Sequence, residues 1–293
     1  YTQSEKLKIV TGLRLDYNNR FDVQFSPRVH LMYSPTDLTS VRASAGRGYR
    51  SARVLGENIS LMASSRTFNI QEEPGLESAW NTGISFVQKF RVKDRQGYFA
   101  TDFYHTRFQN QVIVDVNEGD NQVNVYNLDG KSYANSFLAE ASLELVKGLD
   151  VKVAYKLDDV KTTLNGTLQT KPFTYMHKGL VAASYQSPNE QWQIDANFDM
   201  HGKHRLPNSF SETEEVSFSP FYVSLGMQVS KFFKKGVEIY VGGENITNYK
   251  QPNPIIGAED PFNTNFDTSQ IWGPVVGGIF YGGLRYKIKK KNG

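Results

Sequence analysis

The stretch Leu7-Lys-Ile-Val-Thr-Gly-Leu-Arg-Leu-Asp-Tyr17 decides the fold. Its period is two. Leu7, Ile9, Thr11, Leu13, Leu15 and Tyr17 fall on one face, and Lys8, Gly12, Arg14 and Asp16 on the other. Side chains alternate across a strand in this way, so one surface is apolar and its back is charged. The run is also long. Soluble strands usually take about five or six residues, whereas a tilted strand crossing a bilayer takes about 9–11.

The same alternation recurs along the chain. Val29, Leu31 and Tyr33 oppose Arg28, His30 and Met32, and Thr39, Val41, Ala43 and Ala45 oppose Ser40, Arg42, Ser44 and Gly46. Further runs begin at Trp80, Phe137, Leu149, Trp192, Phe221 and Val237, and a last one carries Phe280, Leu284, Tyr286 and Ile288. Val123–Val146 reads as one unusually long strand. Short connections (Ser34–Asp37, Val92–Gln96, Lys147-Gly148, Ser187–Asn189, Phe233–Lys235) alternate with long polar ones near 48–75, 110–130, 161–172, 205–218 and 247–272. Short turns on one side and long loops on the other are the pattern of an outer-membrane barrel. The expectation is an all-β, antiparallel transmembrane β-barrel wall of about twelve strands, with residues 1–293 forming one part of one barrel domain. Within the first long loop, Ala52, Leu55, Ile59 and Met62 recur at helical spacing and predict a short helix that packs the loop.

Composition narrows the function. The 293 residues carry 33 Lys and Arg against 30 Asp and Glu, a net charge of +3 that offers no basic surface for nucleic acid. The hydrophobic share is 39% and the mean hydropathy −0.48, with no apolar run of helical membrane-span length. Aromatic residues reach 13%, which suits a wall with lipid on one side and water on the other. Cysteine is absent, so neither disulfides nor thiolate metal sites arise. The opening Tyr1-Thr-Gln-Ser-Glu has no signal-peptide pattern and reads as an interior position of a longer product.

No catalytic constellation emerges, and the chain is read as a non-enzyme. It lacks the zinc-protease, nucleophile-elbow and Walker patterns. His201 and His204, in Met200-His-Gly-Lys-His204, read as a solvated loop base rather than a metal site. The acidic pairs Glu72-Glu73, Asp158-Asp159 and Glu214-Glu215 read as solvated charge. Neither a cofactor nor a metal is called for.

Several segments together resemble the TonB-dependent outer-membrane receptors. They are Ser26-Pro-Arg28, Tyr33-Ser-Pro35 and Val41-Arg-Ala-Ser-Ala-Gly-Arg-Gly-Tyr-Arg50; then Glu73-Pro-Gly-Leu-Glu77, Trp80-Asn-Thr-Gly83 and Tyr126-Asn-Leu-Asp-Gly130; then Val241-Gly-Gly-Glu-Asn-Ile-Thr-Asn248 and Gly283-Leu-Arg-Tyr-Lys-Ile288. Each is short; their order across the chain is what resembles the family. The closing Lys289-Lys-Lys-Asn-Gly293 departs from the terminal aromatic common in outer-membrane proteins.

The resemblance implies a barrel of about 22 strands around a plug. Plug, TonB-contacting segment and about ten strands would lie outside these residues, leaving this wall with two open edges. It further implies TonB-dependent import of a scarce nutrient across the bacterial outer membrane, foremost a ferric siderophore or other metal chelate, with glycans or peptides as other ligands. A passive porin and a structural or assembly barrel are the rival readings. The implied partners are the TonB complex, outer-membrane lipid, a small-molecule chelate and a surface lipoprotein. By position, Arg47, Tyr49, Arg50, Arg53, Tyr104 and Arg107 are the candidate ligand residues, and Arg14, Arg28 and Arg42 should face the lumen and its plug.

Overall fold

The computed structural model describes residues 2–4, 6–117, 122–207 and 217–288. In chain order the strands are β1 (Thr2–Ser4), β2 (Leu7–Asn18), β3 (Asp22–Thr36), β4 (Thr39–Ser51), β5 (Thr67–Ile70), β6 (Leu76–Val92), β7 (Arg95–Asn110), β8 (Val112–Asp115) and β9 (Gln122–Asn127). There follow β10 (Ser132–Val146), β11 (Leu149–Leu164), β12 (Thr167–Thr170), β13 (His177–Gln186), β14 (Trp192–His201), β15 (Tyr222–Phe232), β16 (Val237–Glu244) and β17 (Ile279–Tyr286). A 14-stranded sheet runs β1-β2-β3-β4-β6-β7-β10-β11-β13-β14-β15-β16-β17, with β12 paired to β11. Without the short β1 and β12, twelve antiparallel strands form the wall, as the alternation predicts. Each wall strand pairs with the next, so the wall is a meander. Within the described residues β1 and β17 remain its open edges.

Register shows why the two faces differ. One cross-strand row reads Ile9, Leu31, Ala43, Ile84, Phe103, Phe137, Leu157. The row one residue away reads Val10, His30, Ser44, Gly83, Tyr104, Ser136, Asp158 and lies on the opposite face. Large apolar side chains stand in the open on the first face, with Leu13 77% and Phe280 74% exposed. On the second face, glycines let tyrosines lie flat against the wall. Tyr104 covers Gly83, Tyr281 covers Gly242 and Tyr240 covers Gly283, where a Cβ would collide with each ring. At the short-turn end of the apolar face, Lys231 Nζ sits 4.0 Å from the centroid of Trp192, a pairing suited to an interface.

What core there is lies beneath the long connections. Leu61, Val112, Val123 and Val125 are buried together, with Val54, Phe68 and Val114 packed around them. Val112, Val123 and Val125, with Phe68 and Val114, come from a small separate sheet, β5-β9-β8. Burying each such side chain contributes on the order of 2 kcal/mol.

Three expectations are corrected. Val123–Val146 is not one strand, because the chain turns out of the wall between β9 and β10. Gly130 there has φ +128, and a Cβ on it would strike Thr163, so the break needs glycine. The predicted loop helix is only one α-turn, Val54–Glu57, followed by a 3-10 turn, Ile59–Ala63. Asn58 stops it, with φ −125 and its amide bonded to the Val54 carbonyl at 2.8 Å. The tighter turn rotates Leu61 inward and leaves Leu55, Ile59 and Met62 exposed, although the segment packs its loop as expected. The stretch near 161–172 is largely a hairpin. Asn165 (φ 47) and Gly166 (φ 72) make the two-residue turn that joins β11 to β12. Residues 118–121 and 208–216 of two long connections, Glu214-Glu215 among them, and Tyr1 and Lys289–Gly293 lie outside the described residues.

Candidate functional site

The long connections meet above the polar face, and three clusters hold them. The first surrounds Arg50, the end of β4. Its Nε donates to Glu77 Oε2 (2.6 Å) while Nη1 reaches Glu57 Oε2 at 3.1 Å. Glu77 Oε1 also accepts the Val112 N–H at 3.1 Å, tying β6 to β8. Next to this group is a cavity of ≈ 440 Å³, lined by Leu61, Gln111, Thr162 and Gln270 among others.

The second cluster joins the first and last long connections. Arg66 donates through Nε and Nη2 to Asp267 Oδ2, both at 3.0 Å, with side chains only 2% and 8% exposed. Burial alone would push the Asp267 pKa up. Hydrogen bonds from the Ser269 hydroxyl and N–H, with Arg66 and Gln270, more than offset it and hold the carboxylate below its usual value. Ser65 N–H donates to the Phe266 carbonyl at 3.0 Å alongside.

The third cluster is aromatic. His201 and Tyr222 pair across β14 and β15 on the polar face, and their rings stack at 4.5 Å. Tyr249 stacks on the other side of Tyr222, at 4.5 Å and 1°. Tyr175 Oη donates to the Trp272 carbonyl (2.8 Å) and so accepts from Tyr222 Oη (2.9 Å). His204 meets Tyr175 edge-on at 4.3 Å and lies 6.0 Å from Trp272. It is 2% exposed; Nδ1 shares a hydrogen bond with Ser219 Oγ at 3.0 Å, and Nε2 has no partner. Burial, with Lys178 and His201 nearby, lowers its pKa to about 4. The His204 ring is therefore neutral at pH 7. The reading of this pair as a solvated loop base is therefore corrected: strand ends and four aromatic rings enclose it. Among the described residues no group of three or more His, Asp or Glu side chains converges as for a metal.

Register separates the candidate ligand residues. Arg50 and Tyr104 stand on the polar face. Arg47 pairs across β4 and β6 with Trp80, which pairs with Arg107, and all three stand on the opposite face. Tyr49 shares that face, its ring 4.7 Å from the Arg47 guanidinium. The arginines that crowd together in sequence are thus divided by the pleat. Arg53 is exposed at the start of the loop turn. Arg14, Arg28 and Arg42 share the polar face; Arg28 lies across Gly12, and Arg14 is paired with Asp16 at 2.7 Å. Sequence reading missed Tyr175, Tyr222, Tyr249 and Trp272. They come from three separate segments, and no local pattern links them.

The family model described as TonB dependent receptor-like, beta-barrel matches residues 1–246. The chain belongs to this family. No curated protein matches it in sequence. Among solved structures, a ferric enterobactin receptor of Pseudomonas aeruginosa in complex with enterobactin is similar at TM-score 0.67 and 12% identity, over 96% of this chain and 43% of that one. The siderophore receptor PirA of Acinetobacter baumannii gives 0.66 and 13%, over 97% and 44%. The P. aeruginosa FpvA bound to a heterologous pyoverdine gives 0.64 and 15%, over 98% and 37%. At such identities the likeness speaks for the fold. The chain spans less than half the length of these receptors. In a TonB-dependent receptor barrel the polar face lines the lumen and the apolar face meets lipid.

Proposed function

We propose that this chain is the C-terminal part of the barrel domain of a TonB-dependent receptor in the bacterial outer membrane. The whole protein imports a ferric siderophore or other small metal chelate, energised by the TonB complex through a plug region. The observation that carries the ligand reading is the aromatic wall. Tyr222, Tyr249 and His201 stack in one column at the outer end of the lumen face, with Trp272 beside them. The column is rich in π surface, so it suits a flat aromatic or chelate face. Arg50, Arg53 and Tyr104 complete the ligand side in this reading. Arg50 is already held by two carboxylates and would exchange one of them for an anionic ligand. Arg14, Arg28 and Arg42 are assigned to the plug. A surface lipoprotein is a further partner in this reading.

The test uses the complete receptor and a panel of ferric siderophores. Titration followed by tryptophan fluorescence should give an affinity that Trp272→Ala and Tyr249→Ala each reduce by about tenfold, the worth of one stacked ring. Unchanged affinity in both variants removes the wall from the site. Uptake that persists after the proton gradient is collapsed would move the protein to the passive porin class.

A further inference from the structure

The arginines that the pleat turns away from the lumen belong to a longer pattern. A cross-strand row on the lipid face reads Arg47, Trp80, Arg107, Tyr133, Lys161 and ends at Thr170 on β12. Basic and aromatic side chains alternate on successive strands, so the cations are about 10 Å apart. On β10 the apolar band of this face runs from Leu145 up to Phe137. Tyr133 is four residues further, about 10 Å higher along the membrane normal for a tilted strand. The row therefore lies at headgroup height in the outer leaflet. Among the described residues none of its three cations is in an ion pair. In the row beneath, His105, Asn135 and Asp159 are hydrogen-bonded in a chain, which engages the one carboxylate there.

Next to Thr170 the same face opens into an apolar groove of ≈ 620 Å³. Its walls include Tyr155, Met176, Met200, Phe218 and Phe221, and Lys203 stands at its rim. Tyr155, Gly179 and Met200 are one row of the lipid face, so the floor lies within the apolar band. Lys203 is exposed and also has no ion pair among the described residues.

We propose that the groove and the basic-aromatic row form a binding site on the outside of the barrel for an anionic, phosphate-bearing lipid of the outer leaflet. An acyl chain lies in the groove against Tyr155 and Met200. The phosphates meet Lys203, Lys161 and Arg107. Charge complementarity and depth both select this occupant: a water-soluble anion would find the cations but leave the groove empty, and a zwitterionic lipid would leave the cations unmatched. The site is independent of what the lumen carries.

The experiment is native mass spectrometry of the complete receptor, extracted in mild detergent and reconstituted in vesicles with and without anionic phospholipid. Retained phosphate-bearing lipid is expected for the wild type. The variant Arg107→Gln, Lys161→Gln, Lys203→Gln should weaken retention by about fivefold for each cation removed. A matched variant at the short-turn end, Lys93→Gln, Lys147→Gln, Lys234→Gln, should retain lipid as the wild type does. Gly179→Leu drives the Met200 methyl, now 2.7 Å from the Cβ position, into the groove and should lower retention with every charge intact. Equal loss in both triple variants, or no loss in the outer one, overturns the headgroup site. Undiminished retention in Gly179→Leu overturns the groove, and displacement by inorganic phosphate alone overturns the lipid as occupant.

Discussion

Acidification should loosen the third loop cluster, and the structure sets the size of the effect. His204 is enclosed by Tyr175, Phe173 and Trp272, with Nε2 unpartnered. Its pKa is about 4 in the folded protein against an ordinary 6.5. Between these values the open form binds a proton that the closed form refuses, so stability is full above pH 6.5 and falls as the pH drops towards 4. The whole gap corresponds to about 3 kcal/mol, of which about 2 kcal/mol is lost by pH 5. Two backbone amides report the opening directly: His204 N–H donates to Ser219 Oγ at 3.1 Å, and Ser219 N–H donates to the His204 carbonyl at 2.9 Å. Hydrogen exchange at Ser219, corrected for intrinsic rates, should show an opening constant about 20-fold larger at pH 5 than at pH 7. His204→Phe keeps a ring and removes the titration. It should flatten the response. A wild-type response that is flat, or a His204→Phe response that is undiminished, refutes the assignment.

Other expectations follow from single contacts. Arg66→Ala strands the Asp267 carboxylate, which is 8% exposed, and should cost about 3–5 kcal/mol of loop closure, read as faster proteolysis of both connections; Arg66→Met with Asp267→Leu should restore much of the resistance. Equal cleavage of wild type and Arg66→Ala would discount the pair. Gly83→Val must evict the Tyr104 ring from the wall and should lower denaturant stability by about 1–3 kcal/mol, whereas Gly48→Ala meets no atom within 4 Å and should pass almost unnoticed. Gly166→Val forces a branched residue to φ 72 and should destabilise the β11–β12 hairpin by about 1–3 kcal/mol, measured by amide exchange at Lys171, whose N–H donates to the Val160 carbonyl at 3.0 Å; protection equal to wild type would show that the turn relaxes.

The wall was legible because a strand that faces lipid and water at once writes its period directly into the sequence. Leu7–Tyr17 was read within one residue of β2. Parity also puts Arg14, Arg28 and Arg42 on the polar face. The loop regions were harder for identifiable reasons. Val123 and Val125 carry strand periodicity, but their partners are β5 and β8 rather than the wall. Leu61 lies one position off the helical stripe because a 3-10 turn replaces the α-helix. The Asn165-Gly166 hairpin signal was present and went unread. For Arg47, Arg50 and Arg107, closeness in sequence or loop position hid a parity that separates them. Tyr222, Tyr249 and Trp272 meet through tertiary contacts alone, which periodicity cannot encode.

The Arg66–Asp267 pair spans 201 residues, and this gives the molecule an order of assembly. Every strand of the wall pairs with the next wall strand, so the wall can zip hairpin by hairpin with little loop entropy to overcome at each step. Closing the mouth is a different kind of event. Its clamp waits for a residue that follows β16, so the first and last long connections cannot be tied until eleven of the twelve wall strands described above have been laid down. A chain arrested before that point would leave Arg66 without the Asp267 carboxylate, and the clamp is in effect a report that these strands are in place.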